Sequence, residues 1–408
     1  MKSPKLPLWL LLIVLLLQCQ TTTNYTPNVP LTTALQLGAF PVGVNKKPSK
    51  SRNGKLKETA PLPQTYTKTN LSNFSLPYID PSLTVALENQ LKLLKRRKQD
   101  FTQKFDNIAL NLMDLETTIE LLLLWQQTYP QGLAEHLNAY QLAGKDGKGN
   151  VYFTGYYTPK IKVSKKKNSK YKYPFYQFPK HIESPLPTRK EIDGAGALEG
   201  MGLELAYTSK LEDIYYMQLQ GSGLVQFTNG AHAYFGFAGT NRRSYSSIGT
   251  FIKNNENIPL RNISMEGVKN YLYHHPEMVE PILFTNDSYV FFEEVNSKPI
   301  GAGHIPLVED YSIAVDTDHI PLGACLLAAI PVLNKNGKFS HHEYKFLVAQ
   351  DVGGRIKGNG HVDVYCGIGE RGKDKAMALH HYGQLWLLLP KPSDEIGPVF
   401  SEARLAIQ

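Results

Sequence analysis

Two aspartates, Asp351 and Asp363, bracket the glycine-dense block QDVGGRIKGNGHVDVYCGIG that runs from Gln350 to Gly369. A carboxyl group can give a proton to a leaving oxygen at neutral pH only where burial or a neighbouring charge raises its pKa. In Val362-Asp363-Val364-Tyr365 the acid alternates with apolar neighbours at strand period. One face of such a strand can join a core while Asp363 points to the other. The surrounding glycines let backbone approach a ligand closely. A lone strand aspartate also has a plain reading as a surface or structural group.

Other candidates are weaker. The pairs His274/His275, His341/His342 and His380/His381 place adjacent imidazoles in different directions, and no HExxH-like spacing accompanies them, so metal is not expected. Gly221-Ser222-Gly223 lacks the full nucleophile-elbow pattern and reads as a turn or a close backbone approach. The cysteines are Cys19, Cys325 and Cys366, so at most one disulfide could form and one thiol is left over.

The elements that must position these residues follow from the chain's texture. With 408 residues, 42% hydrophobic and 20% charged, the body is globular, with room for one to three domains. The net charge of +8 is mostly local, because Lys160, Lys162, Lys165, Lys166, Lys167, Lys170 and Lys172 share one stretch without an acidic residue. Such a run is a solvated loop, or a patch for an acidic polymer or membrane surface. Nucleic-acid binding is not expected, since no recognition helix or aromatic ribonucleoprotein motif is present.

Residues 1–18 carry Lys2 and Lys5 before an apolar run from Leu6 to Leu17, too short to span a bilayer and matching an export signal. Leu16-Leu17-Gln18-Cys19 resembles a bacterial lipoprotein cleavage box in which Cys19 becomes the lipidated first residue. Gln18 departs from it, so a plain signal peptide or an uncleaved anchor stays open. Residues 19–62 are rich in Thr, Pro, Asn, Lys and Gly and read as a flexible tether. Helical periodicity appears from Ser82 to Phe101, from Asn111 to a stop at Pro130, and between Ser264 and Pro276. Beyond Val151 short β-branched and aromatic runs broken by Gly and Pro otherwise predict strands, in barrels.

Several separated blocks resemble, in order, the signatures of the membrane-bound lytic murein transglycosylase A family. Phe153-Thr154-Gly155-Tyr156-Tyr157-Thr158-Pro159 is similar to its FTGYYxP, Pro187-Thr188-Arg189-Lys190-Glu191-Ile192 to its P-[ST]-R-x-x-I, and Gln220-Gly221-Ser222-Gly223 to its QGSG. Ala238-Gly239-Thr240-Asn241, Tyr245 and Ser247-Ile248-Gly249 are similar to its AGxN…Y…SIG segment. Pro306-Leu307-Val308 and Ile320-Pro321-Leu322-Gly323 match later strand motifs, and the block from Gln350 is similar to its DxGGAIKG and acid-bearing strand. Arg355 stands where alanine is usual, and Cys366 where another residue is common. Arg355 could close a groove or meet a peptide-stem carboxylate; Cys366 reads as a small buried hydrophobe.

The resemblance implies a mainly β fold with N-terminal helices: a double-psi β-barrel-type domain over 63–157 and 295–400, a second β-domain inserted over 158–294, and a glycan groove between them. It implies cleavage of the MurNAc-GlcNAc β-1,4 bond of peptidoglycan with formation of 1,6-anhydroMurNAc, Asp363 acting as acid and then base, and neither cofactor nor metal. Asp351 is its expected partner, as a charge that raises the pKa of Asp363, with the alternative that it caps or fixes the glycine turn. Tyr157, Gln220, Ser222, Asn241, Tyr245 and Lys357 become expected substrate contacts, each with a structural alternative. The implied setting is an outer-membrane lipoprotein facing the periplasm of a Gram-negative bacterium. Two alternatives remain: a hydrolytic glycosidase using Asp351 with Asp363, and an inactive cell-wall-binding lipoprotein.

Overall fold

The structure, a computed structural model, describes residues 66–392 apart from 98–101, 106–107, 129–131, 183–185, 256–257, 261–263, 296–297 and 337. The export signal, Cys19 and the tether lie outside the described residues, as does the helix stop at Pro130.

The chain is mainly β, and two hydrophobic clusters organise it. The first draws on residues 66–153 and 305–389, the second on residues 161–292. Around the first, strands Val151–Thr158, His361–Ile368, Ser312–Val315, Phe339–Val352, Cys325–Leu333 and His380–Pro390 pair in that order. The last of these pairs back onto the first, so the ring closes. Ser312–Val315 runs parallel to Phe339–Val352, and Val151–Thr158 parallel to His361–Ile368; the other pairings in the ring are antiparallel. Strands Leu137–Leu142 and Tyr66–Thr69 extend the sheet beyond the ring.

Helix Pro81–Lys95 seals one side of this barrel. Asp80 caps it by accepting from Leu83 N at 2.8 Å, and Pro81 occupies the first turn, where its missing N–H costs nothing. Leu83, Ala86, Leu87, Gln90, Leu93 and Leu94 fall on the buried face at helical spacing. Gln90 and Gln350 tie helix to barrel: Gln90 Nε2 donates to the carbonyls of Ala324 (3.3 Å) and Ala349 (3.1 Å), and Gln350 Nε2 to that of Ala86 (2.9 Å). Gln350 also accepts from Ser312 Oγ at 2.6 Å, which locks the two parallel strands immediately before Asp351.

Around the second cluster, strands Val290–Val295, His232–Thr240, Gly223–Phe227, Lys160–Ser164, Glu204–Thr208 and Tyr173–Tyr176 form a sheet in that order. An isolated bridge, Gln177 to Phe292, nearly joins its two edges. The guanidinium of Arg189, from the Pro-Thr-Arg motif, is buried within this unit. It donates to the carbonyls of Asn286 and Ser288 and to Gln218, pairs with Asp193 at 3.5 Å, and lies over the rings of Tyr215 and Tyr289.

The three helical stretches expected from periodicity appear as Pro81–Lys95, Leu112–Thr128 and Met265–His274. The first ends earlier than expected, and Thr102–Phe105 pairs with Ile108–Asn111 in a hairpin. Helices Leu211–Gln220, Ile248–Asn254 and Gly369–Ala378 were not expected. LEDIYYMQLQ is rich in β-favouring residues, yet one stretch of it buries Ile214, Tyr215, Tyr216, Met217 and Gln218 and tertiary packing decides its state. GERGKDKAMA buries little beyond Gly372 and Ala376 and so shows almost no apolar period.

Candidate active site

The register of the barrel places four residues in one row. Asp351 is opposite Ala314, Ala314 opposite Asp363, and Asp363 opposite Thr154. Residues paired across strands share a face, and strands lie about 4.8 Å apart, so the two aspartate Cα atoms stand roughly 10 Å apart with a small alanine between them. Val362 and Val364 turn inward to the barrel core, as their alternation with Asp363 predicts.

Asp363 is half-buried, and its Oδ1 accepts from Thr154 Oγ1 at 2.9 Å. Burial, opposed by the Thr154 hydrogen bond and reinforced by the charge of Asp351, pushes its carboxyl up to about 7. Asp351 is held differently. Its Oδ1 accepts from Ala302 N (2.8 Å) and Val352 N (2.9 Å), and its Oδ2 from the Tyr156 hydroxyl (2.9 Å). Burial raises its pKa while those donors pull it down. With both oxygens already accepting, Asp351 is held in place on its strand.

The elements bring the QGSG motif to the same region. Gly221 ends helix Leu211–Gln220 with φ of 77°, the left-handed region glycine enters at little cost, and Gly223 opens the next strand. Gln220 Oε1 accepts from Tyr157 N at 3.0 Å, and Ser222 is half-buried beside it. On the barrel side the glycine turn exposes Arg355 and Lys357. Arg355 Nη1 donates to the Tyr245 hydroxyl at 3.2 Å and its guanidinium lies 5.3 Å from that ring, joining the barrel to the second unit. Tyr245 is 40% exposed.

Two expected contacts are corrected. Asn241 is fully buried: its Nδ2 donates to the carbonyls of Pro187 (3.0 Å) and Asp287 (2.7 Å), and its Oδ1 accepts from Tyr289 N (2.8 Å) and Arg243 N (3.3 Å). It pins loops and has no surface for a sugar. Tyr157 is buried too, packed with Cys366 and Ala376, its hydroxyl accepting from Lys269 Nζ at 3.3 Å. Strand period explains the displacement, because Tyr156 rather than Tyr157 shares the face of Thr154 and Asp363. Cys366 is buried and its thiol is pushed up to about 12 by desolvation, so it behaves as a small hydrophobe.

Thr154, Tyr156 and His361 were not singled out from sequence. Thr154 and Tyr156 stand in FTGYY and His361 two positions before the acid, but their contacts cross strands far apart in the chain. Of the paired histidines, His380 stands opposite Thr154 on the neighbouring strand and so at the end of the same row; among the described residues no three His, Cys, Asp or Glu side chains gather to hold a metal.

Comparison with known proteins decides the family. The description "MltA specific insert domain" fits residues 152–293 and "3D domain" fits residues 311–389. A membrane-bound lytic murein transglycosylase A homolog of Buchnera aphidicola is 42% identical over 258 residues, covering 62% of this chain and 70% of that protein. The membrane-bound lytic murein transglycosylase A of Escherichia coli K12 is 40% identical over 269 residues, covering 65% and 72%. The chain belongs to the membrane-bound lytic murein transglycosylase A family. It is therefore an enzyme. The crystal structure of E. coli MltA with bound chitohexaose superposes with a TM-score of 0.68 at 31% identity over 81% of this chain and 96% of that one. An Agrobacterium tumefaciens membrane-bound lytic murein transglycosylase, 23% identical, shares the fold with a TM-score of 0.67 over 80% and 98%.

Proposed function

We propose that this enzyme cleaves the MurNAc-GlcNAc β-1,4 bond of peptidoglycan without water, closing the muramyl residue to 1,6-anhydroMurNAc. Protonated Asp363 gives its proton to the glycosidic oxygen as the bond to the anomeric carbon breaks. The resulting carboxylate takes the proton of the muramyl 6-hydroxyl as that oxygen attacks the anomeric carbon. The proton count returns to its start and the substrate supplies the nucleophile.

The observation that carries this reading is the contrast between the carboxyls. Asp363 is held near a pKa of about 7, suited to both giving and taking a proton at neutral pH. Asp351 already accepts three hydrogen bonds, which disfavours it as the base or nucleophile that two-carboxylate hydrolysis requires. A relative crystallised with chitohexaose supports a glycan strand as ligand. Gln220, Ser222, Tyr245 and Lys357 are the side chains of this chain we assign to it. We assign residues 158–294 to the inserted domain and the described parts of the flanking segments, 66–157 and 295–392, to the barrel domain. We assign Cys19 as the lipid anchor of an outer-membrane lipoprotein facing the periplasm; the name membrane-bound carried by the relatives supports membrane association.

Asp363→Asn tests the assignment, since it keeps shape and cannot cycle a proton. Turnover of murein should fall by roughly 10²–10⁴-fold while chito-oligosaccharide binding persists. Turnover near that of the parent enzyme would remove Asp363 from the mechanism.

A further inference from the structure

His361 leaves the same face of strand His361–Ile368 as Asp363. Its Nε2 lies 2.9 Å from Thr154 Oγ1, and that hydroxyl lies 2.9 Å from Asp363 Oδ1. A threonine hydroxyl has one proton to give, so the chain of bonds runs in one of two directions. In one, His361 Nε2–H donates to Thr154 and Thr154 donates to Oδ1, which leaves the acidic proton of Asp363 on Oδ2. In the other, Asp363 spends its proton on Thr154 through Oδ1, and Thr154 donates to a bare Nε2. Only the first leaves the proton free for a sugar oxygen.

We propose that His361 is a positioning residue whose Nε2–H fixes the first direction, so that Asp363 presents its proton on Oδ2. The proposal rests on Asp363 being the acid. Burial, with the charges of Lys145 and Arg355 nearby, holds the His361 pKa below its ordinary value, so the imidazole is neutral and has a single N–H. The Tyr152 ring, 5.6 Å away and itself 5.1 Å from Tyr382, packs beside the imidazole. Thr154 thus bonds it, Tyr152 packs on it, and Lys145 and Arg355 act on it through their charge. Once Asp363 has given up its proton, the negative carboxylate favours the same direction, and the Thr154 hydroxyl need not turn during the cycle.

The test uses the full chain with His361→Leu, His361→Gln and, as reference, Asp363→Asn, measuring kcat and KM on murein across pH. Losing the donor in H361L should lower kcat roughly tenfold or more with KM within about twofold, whereas H361Q, whose amide can donate, should stay within about threefold of the parent. Nitrogen chemical shifts of His361 in the parent protein should place the proton on Nε2. Equal kcat in H361L and H361Q, or a bare Nε2, overturns the proposal; if H361L does not fold, the nitrogen shifts decide alone. Undiminished turnover in Asp363→Asn would instead overturn the acid assignment, and the two failures are thereby told apart.

Discussion

Raising the Asp363 carboxyl from 3.8 to about 7 means that the folded chain binds this proton more tightly than the unfolded chain does. The stability this confers is fully present below about pH 4 and is lost as pH rises through about 7. At ~1.4 kcal/mol per pKa unit the loss is at most about 4 kcal/mol, less where groove water screens the charge. Asp363→Asn should therefore melt higher than the parent at about pH 8 and at nearly the same temperature at about pH 4. Equal melting at both pH values would contradict a raised pKa. Asp351 raises that pKa by its charge, so Asp351→Asn should move the alkaline limb of the pH–rate profile to lower pH. An unmoved limb would leave Asp351 as an anchor only. The V-D-V-Y alternation made the direction of Asp363 legible from sequence. Its partners were not legible, since Thr154 lies 209 positions away and only the parallel pairing of two strands brings it there. Asn241 misled because amide chemistry suits a sugar and a loop backbone equally well.

At the scale of elements, glycines and buried ions hold the site's frame. A Cβ on Gly155 would lie 2.6 Å from Ala376 Cα and 2.9 Å from Cys366 Sγ, so the glycine of FTGYY lets helix Gly369–Ala378 lie directly on the strand that carries Thr154. Arg189 does comparable work in the second unit, where its neighbours are chiefly carbonyls, Gln218 and Asp193. Burial pushes Asp193 up to about 6 even with Arg189 beside it. Arg189→Ala should destabilise the protein by about 3–5 kcal/mol, because it leaves a buried carboxyl and several carbonyls without their donor. Denaturant unfolding would show this, and a loss below about 1 kcal/mol would mean the pocket collapses or fills with water. The motif was visible in the sequence; its purpose was not, since an arginine between Thr188 and Lys190 reads as surface until the fold encloses it. The capped, periodic helices were legible for the opposite reason: Asp80 and Ser264 act on their own neighbours three residues on.

For the whole molecule, the lysine run lies on one interior strand of the second sheet, between Gly223–Phe227 and Glu204–Thr208, and on the loop that follows it. Lys160 and Lys162 face solvent while Ile161 and Val163 are buried, and Lys167 pairs with Glu199. Composition showed the run but not that part of it is already paired. The first hydrophobic cluster draws on residues 66–153 and 305–389 and the second on residues 161–292, and Arg355 to Tyr245 and Gln220 to Tyr157 bridge the segments around them. Under the proposed function a glycan strand lies across both units while one carboxyl works on one bond. The account turns on what attacks the anomeric carbon. Digestion of purified murein in ¹⁸O-water, followed by mass spectrometry of the muropeptides, reads this directly. Attack by the muramyl 6-hydroxyl gives products lighter by one water than the hydrolytic ones, ending in 1,6-anhydroMurNAc and free of the heavy label. Reducing muramyl ends carrying ¹⁸O would contradict it and make the enzyme a hydrolase.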